Sequence, residues 1–287
     1  MRPSTRGFTL VEMLIGLVLL ALVSTTIYRT LNTNTRLSRA QTEQVSLQSA
    51  VRIGSLVVGS ELKEMGINST GGTDITAMSA NGITYRAMRA TGLACQVTAG
   101  EVRLRNSTAP QTFFSTRSVA ALQDSLLLYV EGDPNISTDD RWLPLRISAV
   151  GASTCGAVPA IALTISPAIN TATTPLTQIV LDAPVRTFEV MELGILNSGG
   201  QNWLGVRSVS AGQTLQPALG PITATGLQFD YYDAAGAVTA NRTAVRSIQI
   251  TVRGQTDRTV RAAGQSTAQV ALDSLSTRIT LRNAPHP

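Results

Sequence analysis

At 287 residues, 43% hydrophobic and 14% charged, the chain is long and apolar enough to bury a core, which excludes intrinsic disorder as its overall state. Its 2 cysteines cannot staple a fold of this size, so a disulfide-built miniprotein is excluded as well. The net charge of +5 comes from 23 Lys+Arg against 18 Asp+Glu, with Lys63 the single lysine, and one segment alone is apolar enough to span a bilayer, which excludes a polytopic membrane protein.

Residues 1–7, MRPSTRG, carry Arg2 and Arg6 and no acid. The run that follows, Phe8 to Tyr28, holds one charge, Glu12. As a helix it would be about 31 Å long, the thickness of a hydrocarbon core. A secretory signal peptide is the first alternative, but its apolar region is usually only about 7–15 residues, and the small residues Val23 to Thr26 run on into helix-compatible sequence. A plain signal anchor fits the length and leaves Glu12 unexplained. A lone carboxylate within a span costs on the order of 2.5–3.5 kcal/mol, so it calls for a partner.

The stretch GFTLVEMLIGLVLLALV resembles the prepilin-type leader of type IV pilins and type II secretion pseudopilins. The resemblance implies that a prepilin peptidase in the inner membrane cuts after Gly7, and that Phe8 becomes the methylated N-terminus. It also implies that Glu12 neutralises the terminal amine of a neighbouring subunit during assembly. The chemistry is consistent with each role. Glycine leaves the scissile backbone open to a protease, cleavage creates a cation at the membrane edge, and the paired charges cost less than either alone. Arg2 and Arg6 place the leader on the cytoplasmic side under the positive-inside rule. Arg29, Arg36 and Arg39 on the far side weaken that argument, so it is the resemblance that implies export of everything after Tyr28.

Residues 29–66 continue as an amphipathic helix, with Leu31, Leu37, Ala40, Leu47, Val51, Leu62 and Met65 at three- and four-residue steps. Gly54 and Gly59 are weak points, and Gly66 with Asn68, Ser69, Gly71 and Gly72 is a stop signal. A helix from Phe8 to Met65 would run roughly 87 Å, so its outer half is expected on the head and its inner half on other subunits. LVVGSELKEMG, with Glu61-Leu62-Lys63 and Gly66, is similar to the close of the long helix in PilW-type minor pilins and J-type pseudopilins, although Met65 stands where a small residue is commoner.

Beyond Gly72 the pattern changes to short Val/Ile/Thr/Leu runs punctuated by Gly, Asn, Asp and Pro, which predicts about ten strands. ITAMSANGITYRAM places Asn81-Gly82 between two strands, a hairpin signature, and CQVTAGEVRLR predicts a second hairpin around Gly100. SLLLYVEGD and RWLPLRISAV flank a polar turn at Asp133–Asp140. IALTI, VRTFEVMEL, WLGVRSV, LQFDYYD, VRSIQITVR and STRITLRN supply the later strands. From residue 185 to 283 their order resembles the C-terminal half of PilW-type proteins, whereas residues 67–184 carry no recognised motif.

Cys95 and Cys155, exported on this reading, are expected to form a disulfide, with two unrelated buried thiols as the alternative. Asp133, Asn135, Ser137 and Asp139 imitate half of an EF-hand, but Thr138 replaces its glycine and Pro144 its closing glutamate, so a polar loop is expected. His286 sits beside the last residue in the sequence, no nucleophile elbow or phosphate loop is present, and no catalytic residue, metal or cofactor is expected. Seven arginines between Arg242 and Arg282, against Asp257 and Asp273, raise DNA as a partner, although no aromatic residues interleave them.

The expectation is therefore an α+β chain: leader 1–7, transmembrane helix 8–28, amphipathic helix 29–66 and a β-rich, mainly antiparallel exported head 67–287. The resemblance implies a minor structural subunit of a type IV pilus-like filament with a priming or tip role. It would be held in the inner membrane before joining the envelope or extracellular filament, with a prepilin peptidase and other pilin or pseudopilin subunits as partners. A type II secretion pseudopilin and a filament-borne DNA-uptake subunit are the alternatives.

Overall fold

A computed structural model of the chain describes residues 9–68, 72–108, 110–136, 138–261 and 267–282. The chain divides into two compact units, Met1–Ser49 with Gln255–Leu272 and Ala50–Gly254 with Asp273–Pro287. One helix, α1 (Leu10–Lys63), contributes to both. No proline interrupts its 54 residues.

In the first unit α1 is accompanied by the chain segment 255–272. The ends of that segment pair with each other: Thr256 N–H donates to the Ala271 carbonyl at 2.9 Å, and Val260 and Gln269 exchange backbone hydrogen bonds at 2.8 and 2.9 Å.

The second unit is built on strands. β1 (Ile67–Asn68) and β2 (Gly72–Thr73) form a small antiparallel pair. The main sheet contains β3 (Ile75–Ser79), β4 (Gly82–Val97), β5 (Glu101–Arg105), β6 (Phe114–Ser115), β7 (Ser125–Val130), β8 (Arg141–Cys155), β9 (Val158–Ile165), β10 (Ala183–Ser198), β11 (Gln201–Ser208), β12 (Gln216–Tyr232), β13 (Ser247–Gln255) and β14 (Leu272–Thr280). Its strand order is β14-β13-β12-β11-β10-β7-β8-β9-β5-β4-β3, with β6 on β4 and a further β10–β4 pairing. That last pairing closes a ring, because β10, β7, β8, β9, β5 and β4 then return to β10, each antiparallel to the next.

Two cores result. The ring encloses Val102, Leu104, Leu126, Leu128, Leu163 and Val185, among others. The open part of the sheet packs Ile83, Tyr85, Leu227, Phe229, Ile248 and Ile250 against Val58 and Leu62 of α1 and against Met65 beyond its end. The architecture is α+β and pilin-like: a long N-terminal helix followed by a mainly antiparallel β-rich domain.

Local signals were shifted by these contacts. The β3–β4 hairpin pairs Ser79 with Gly82, so its turn is Ala80-Asn81 rather than Asn81-Gly82, and neither turn residue has a positive φ. Tertiary contacts hold this register, because the Tyr231 hydroxyl lies 3.1 Å from the Ser79 carbonyl and Phe229 N–H donates to Ala80 O at 2.8 Å. Gly66 does not end the helix with a left-handed residue, since its φ is not positive. Instead α1 stops at Lys63, and an added Cβ on Gly66 would lie 3.3 Å from the Asp74 carboxylate. In the Asp133–Asp140 turn the Asp139 carboxylate accepts the Asp133 amide at 2.8 Å and Asp133 accepts the Asn135 amide at 2.9 Å. Gly132, at φ +73°, leaves room for Asp139 there. Ser137 lies outside the described residues.

Cys95 on β4 is joined to Cys155 at the end of β8, with Cα atoms 6.1 Å apart. The link ties the β8–β9 hairpin to a strand two places away around the ring. Replacing both cysteines with alanine should lower head stability by up to about 4 kcal/mol, measured as a loss of denaturation midpoint that reductant reproduces in the unsubstituted protein. Gly54 and Gly59 should separate in the same assay. A Cβ on Gly54 would meet Leu219 Cδ2 at 2.6 Å, whereas one on Gly59 meets Ile279 at an ordinary 3.7 Å. Gly54→Leu is expected to destabilise by about 1–3 kcal/mol through overpacking, and Gly59→Ala to stabilise by about 0.5–1 kcal/mol through helix propensity.

Candidate assembly site

The described part of α1 begins with a reciprocal cap. Thr9 Oγ1 accepts the Glu12 amide at 3.3 Å, and Glu12 Oε2 accepts the Thr9 amide at 3.4 Å. This is a capping box, a Thr at the N-cap and a Glu three residues on, each satisfying an orphan amide of the other. The pattern Thr-x-x-Glu is visible in GFTLVE, so the helix-capping role of Glu12 was legible in sequence beside its implied role in assembly. Gly7 and Phe8 lie outside the described residues.

From Leu10 to Leu31 every large aliphatic side chain is exposed, on all sides of the helix, from 54% at Val23 and Ile27 to 78% at Leu10. The most apolar window has a mean hydropathy of 2.3 with none of it buried inside the protein. A helix that is apolar all round must be covered by lipid or by other chains. Its hydroxyls are already satisfied internally: Thr25 donates to the Ala21 carbonyl at 2.8 Å and Thr26 to Leu22 at 2.9 Å. Such back-bonding removes the penalty of carrying threonine through hydrocarbon.

Within the second unit, the end of α1 meets two acids. The buried Tyr85 phenol, on β4, lies near the exposed Glu61 of α1, and burial first and that carboxylate second push its pKa well above the usual tyrosine value. Asp74 accepts the Gly66 amide at 2.7 Å, with Arg186 at 3.7 Å and Arg86 at 4.0 Å. Burial raises the Asp74 pKa, and these donors offset it only in part. Glu61 stays exposed, and no local sequence pattern marks Asp74. The partners of both lie on strands remote in sequence.

A second network centres on Glu189 of β10, buried among apolar neighbours. Its carboxylate accepts from Arg89 Nε at 2.9 Å, Arg117 Nη2 at 2.9 Å and the Gln123 side chain. Arg117 also grips the fully buried Asp124 in a fork, at 2.6 and 2.8 Å. Burial alone would raise the Glu189 pKa, but hydrogen bonds from Ser208, Arg117, Gln123 and Arg89 outweigh it and hold it down to about 2. An acid inside the apolar strand TFEVMEL was the available signal. Among the described residues no group of three or more His, Cys, Asp or Glu is gathered to hold a metal ion.

At least six of the seven C-terminal arginines are engaged with the protein's own atoms, Arg261 among them. Arg242 donates to the Thr76 carbonyl, Arg246 to Thr243, Arg253 to Thr225 and Gln228, Arg278 to Ser247 while stacking over Tyr232, and Arg282 to Glu64.

Residues 2–28 match the family model described as the prokaryotic N-terminal methylation motif. Neither a curated protein nor a solved structure matches the chain. The motif implies processing by a prepilin peptidase, and with the apolar helix and β-rich head it is consistent with a filament subunit held as a single-pass membrane protein before assembly.

Glu189→Gln should leave two guanidinium groups short of an anion and cost about 3 kcal/mol, read from denaturant unfolding. Because the folded pKa of Glu189 lies below its ordinary 4.5, its contribution is complete above that value and is lost as pH falls toward about 2. The Gln variant should therefore show a shallower loss of stability across that range than the unsubstituted protein.

Proposed function

We propose that the chain is a minor pilin of a type IV pilus-like filament, most similar to the PilW type, with a priming or tip role. The observation that carries this reading is Glu12, a lone acid at the head of a helix that is apolar on every side and lies within a prepilin-type motif. In the mature subunit, cut after Gly7 and methylated at Phe8, the Glu12 carboxylate would pair with the terminal amine of a neighbouring protomer. The capping box supports this, because it aims the carboxylate at the N-terminal end of the helix.

On this reading residues 1–7 are the leader, 8–28 the span, 29–66 the amphipathic half of the helix and 67–287 the exported head. The subunit begins in the inner membrane with a cytoplasmic N-terminus and ends in the filament, with other pilin or pseudopilin subunits as its partners. The bridge between Cys95 and Cys155 suits an exported, oxidised head. At 287 residues the chain is larger than ordinary major subunits of the family it resembles, which favours a minor, priming or tip role. A pseudopilin of a type II secretion system is the alternative, since it would use the same helix. A DNA-binding role is less favoured, because at least six of the seven arginines that raised it are engaged with the protein itself.

Gly7→Leu should leave an uncut, unmethylated precursor in the inner membrane, and a mature-sized product on N-terminal mass spectrometry would contradict the cleavage assignment. Glu12→Ala should be processed normally yet be depleted at least several-fold from sheared filaments. Normal recovery there would remove the charge-pairing role.

A further inference from the structure

The first unit holds a basic pocket that filament assembly leaves without a role. Arg36 and Arg39 of α1, with Arg258 and Arg261 from the segment joining β13 to β14, line one cavity of about 700 Å³. Glu43 is the one acid among its lining residues. Asp257 lies next to Arg258 in the chain, and Asp257 and Arg261 each already hold a contact. Among the described residues, four guanidinium groups and one carboxylate therefore line the cavity. Arg36 and Arg39 stand three residues apart and therefore share a helix face. Two arginines on each of two chain segments offer planar forks of the kind that hold phosphate in two-point contacts, in a cavity within the ordinary size range of ligand sites.

Its position along α1 indicates the source of that phosphate. With residues 8–28 as the span, Arg36 lies eight residues beyond its outer end, about 12 Å along the helix, next to a headgroup layer of roughly 5–8 Å. Arginine side chains on a helix lean toward its N-terminus, which brings Arg36 and Arg39 back toward the bilayer. Their aliphatic stems can lie along apolar surface while the charged ends meet headgroups.

We propose that this pocket binds the phosphate of an anionic phospholipid headgroup in the outer leaflet, setting the depth of α1 before the subunit is drawn into a filament. The proposal rests on membrane insertion of residues 8–28, and the test separates the two. Full-length protein in mild detergent is titrated with short-chain phosphatidylglycerol or phosphatidylcholine, and bound lipid is counted by native mass spectrometry. The same protein is offered to vesicles of phosphatidylcholine alone. Failure to enter neutral vesicles overturns the membrane reading. Entry into them without preference for phosphatidylglycerol in detergent overturns only the pocket.

Anionic preference is expected, of at least about tenfold, the scale of one charge-assisted hydrogen bond to phosphate. The pairs Arg36→Gln with Arg39→Gln, and Arg258→Gln with Arg261→Gln, should each lose it by at least tenfold without moving the thermal transition of the head. Arg29→Gln, nearer the span but outside the pocket, should change it less than twofold. An equal loss in Arg29→Gln would reduce the effect to general juxtamembrane charge and sink the proposal. So would displacement by inorganic phosphate at equal concentration, which assigns the pocket to free phosphate. Tighter binding of a short DNA duplex with the same arginine dependence would assign it to nucleic acid and overturn it as well.

Discussion

β4 and β10, each 16 residues long, hydrogen-bond from Ala94 opposite Ala183 to Ile83 opposite Leu193, and both cores of the head hang from that pairing. At one end the pair closes the ring with β7, β8, β9 and β5. At the other it continues into the open sheet that covers the end of α1. A register shift opposite Thr187 and Phe188 leaves Arg89 of β4 as the extra residue and lets that strand serve both, because an inserted residue reverses which face its side chains meet. On one side of it Ile83 and Tyr85 belong to the helix-packed core; on the other Ala94, of opposite parity, belongs to the ring. Separating this pair would open the ring and the sheet together.

Buried acids then fix how the elements meet. Asp74 takes the Gly66 amide just beyond the helix, and Glu189 gathers donors from β4 and from the loop before β7. Apolar packing tolerates small slides of one surface over another. A desolvated carboxylate does not, since moving away from its donors leaves a buried charge unpaired. These contacts specify one arrangement even where replacing them with hydrocarbon would not lower stability.

The helix lives under two sets of rules. Between Val51 and Leu62 it buries one face within its own head, and Gly54 permits the close approach of Leu219. Between Leu10 and Leu31 it exposes apolar surface in every direction, which no folded water-soluble surface sustains. That contrast leaves the N-terminal part as surface to be covered by lipid or by other chains. The capping box and the threonine back-bonds show the helix closing its own polar groups in advance of that environment.

The sequence by itself determined the helix, its apolar run, the lone acid, the motif at Gly7 and Phe8, and the order of most strands. Each is a local property, written in composition, in a period of two or 3.6, or in a few adjacent residues. It located the hairpins at Asn81, Gly100 and Asp133–Asp140, though at Asn81 the turn settled one residue earlier under the pull of Tyr231 and Phe229. Only the tertiary structure decided that β4 and β10 join to close a ring, that Gly66 is small because Asp74 and Arg186 crowd it, and that Glu189 collects donors from segments as far as 100 residues away. Those outcomes depend on pairings between distant strands, and a strand's own residues state which faces are apolar but not which edge will meet which.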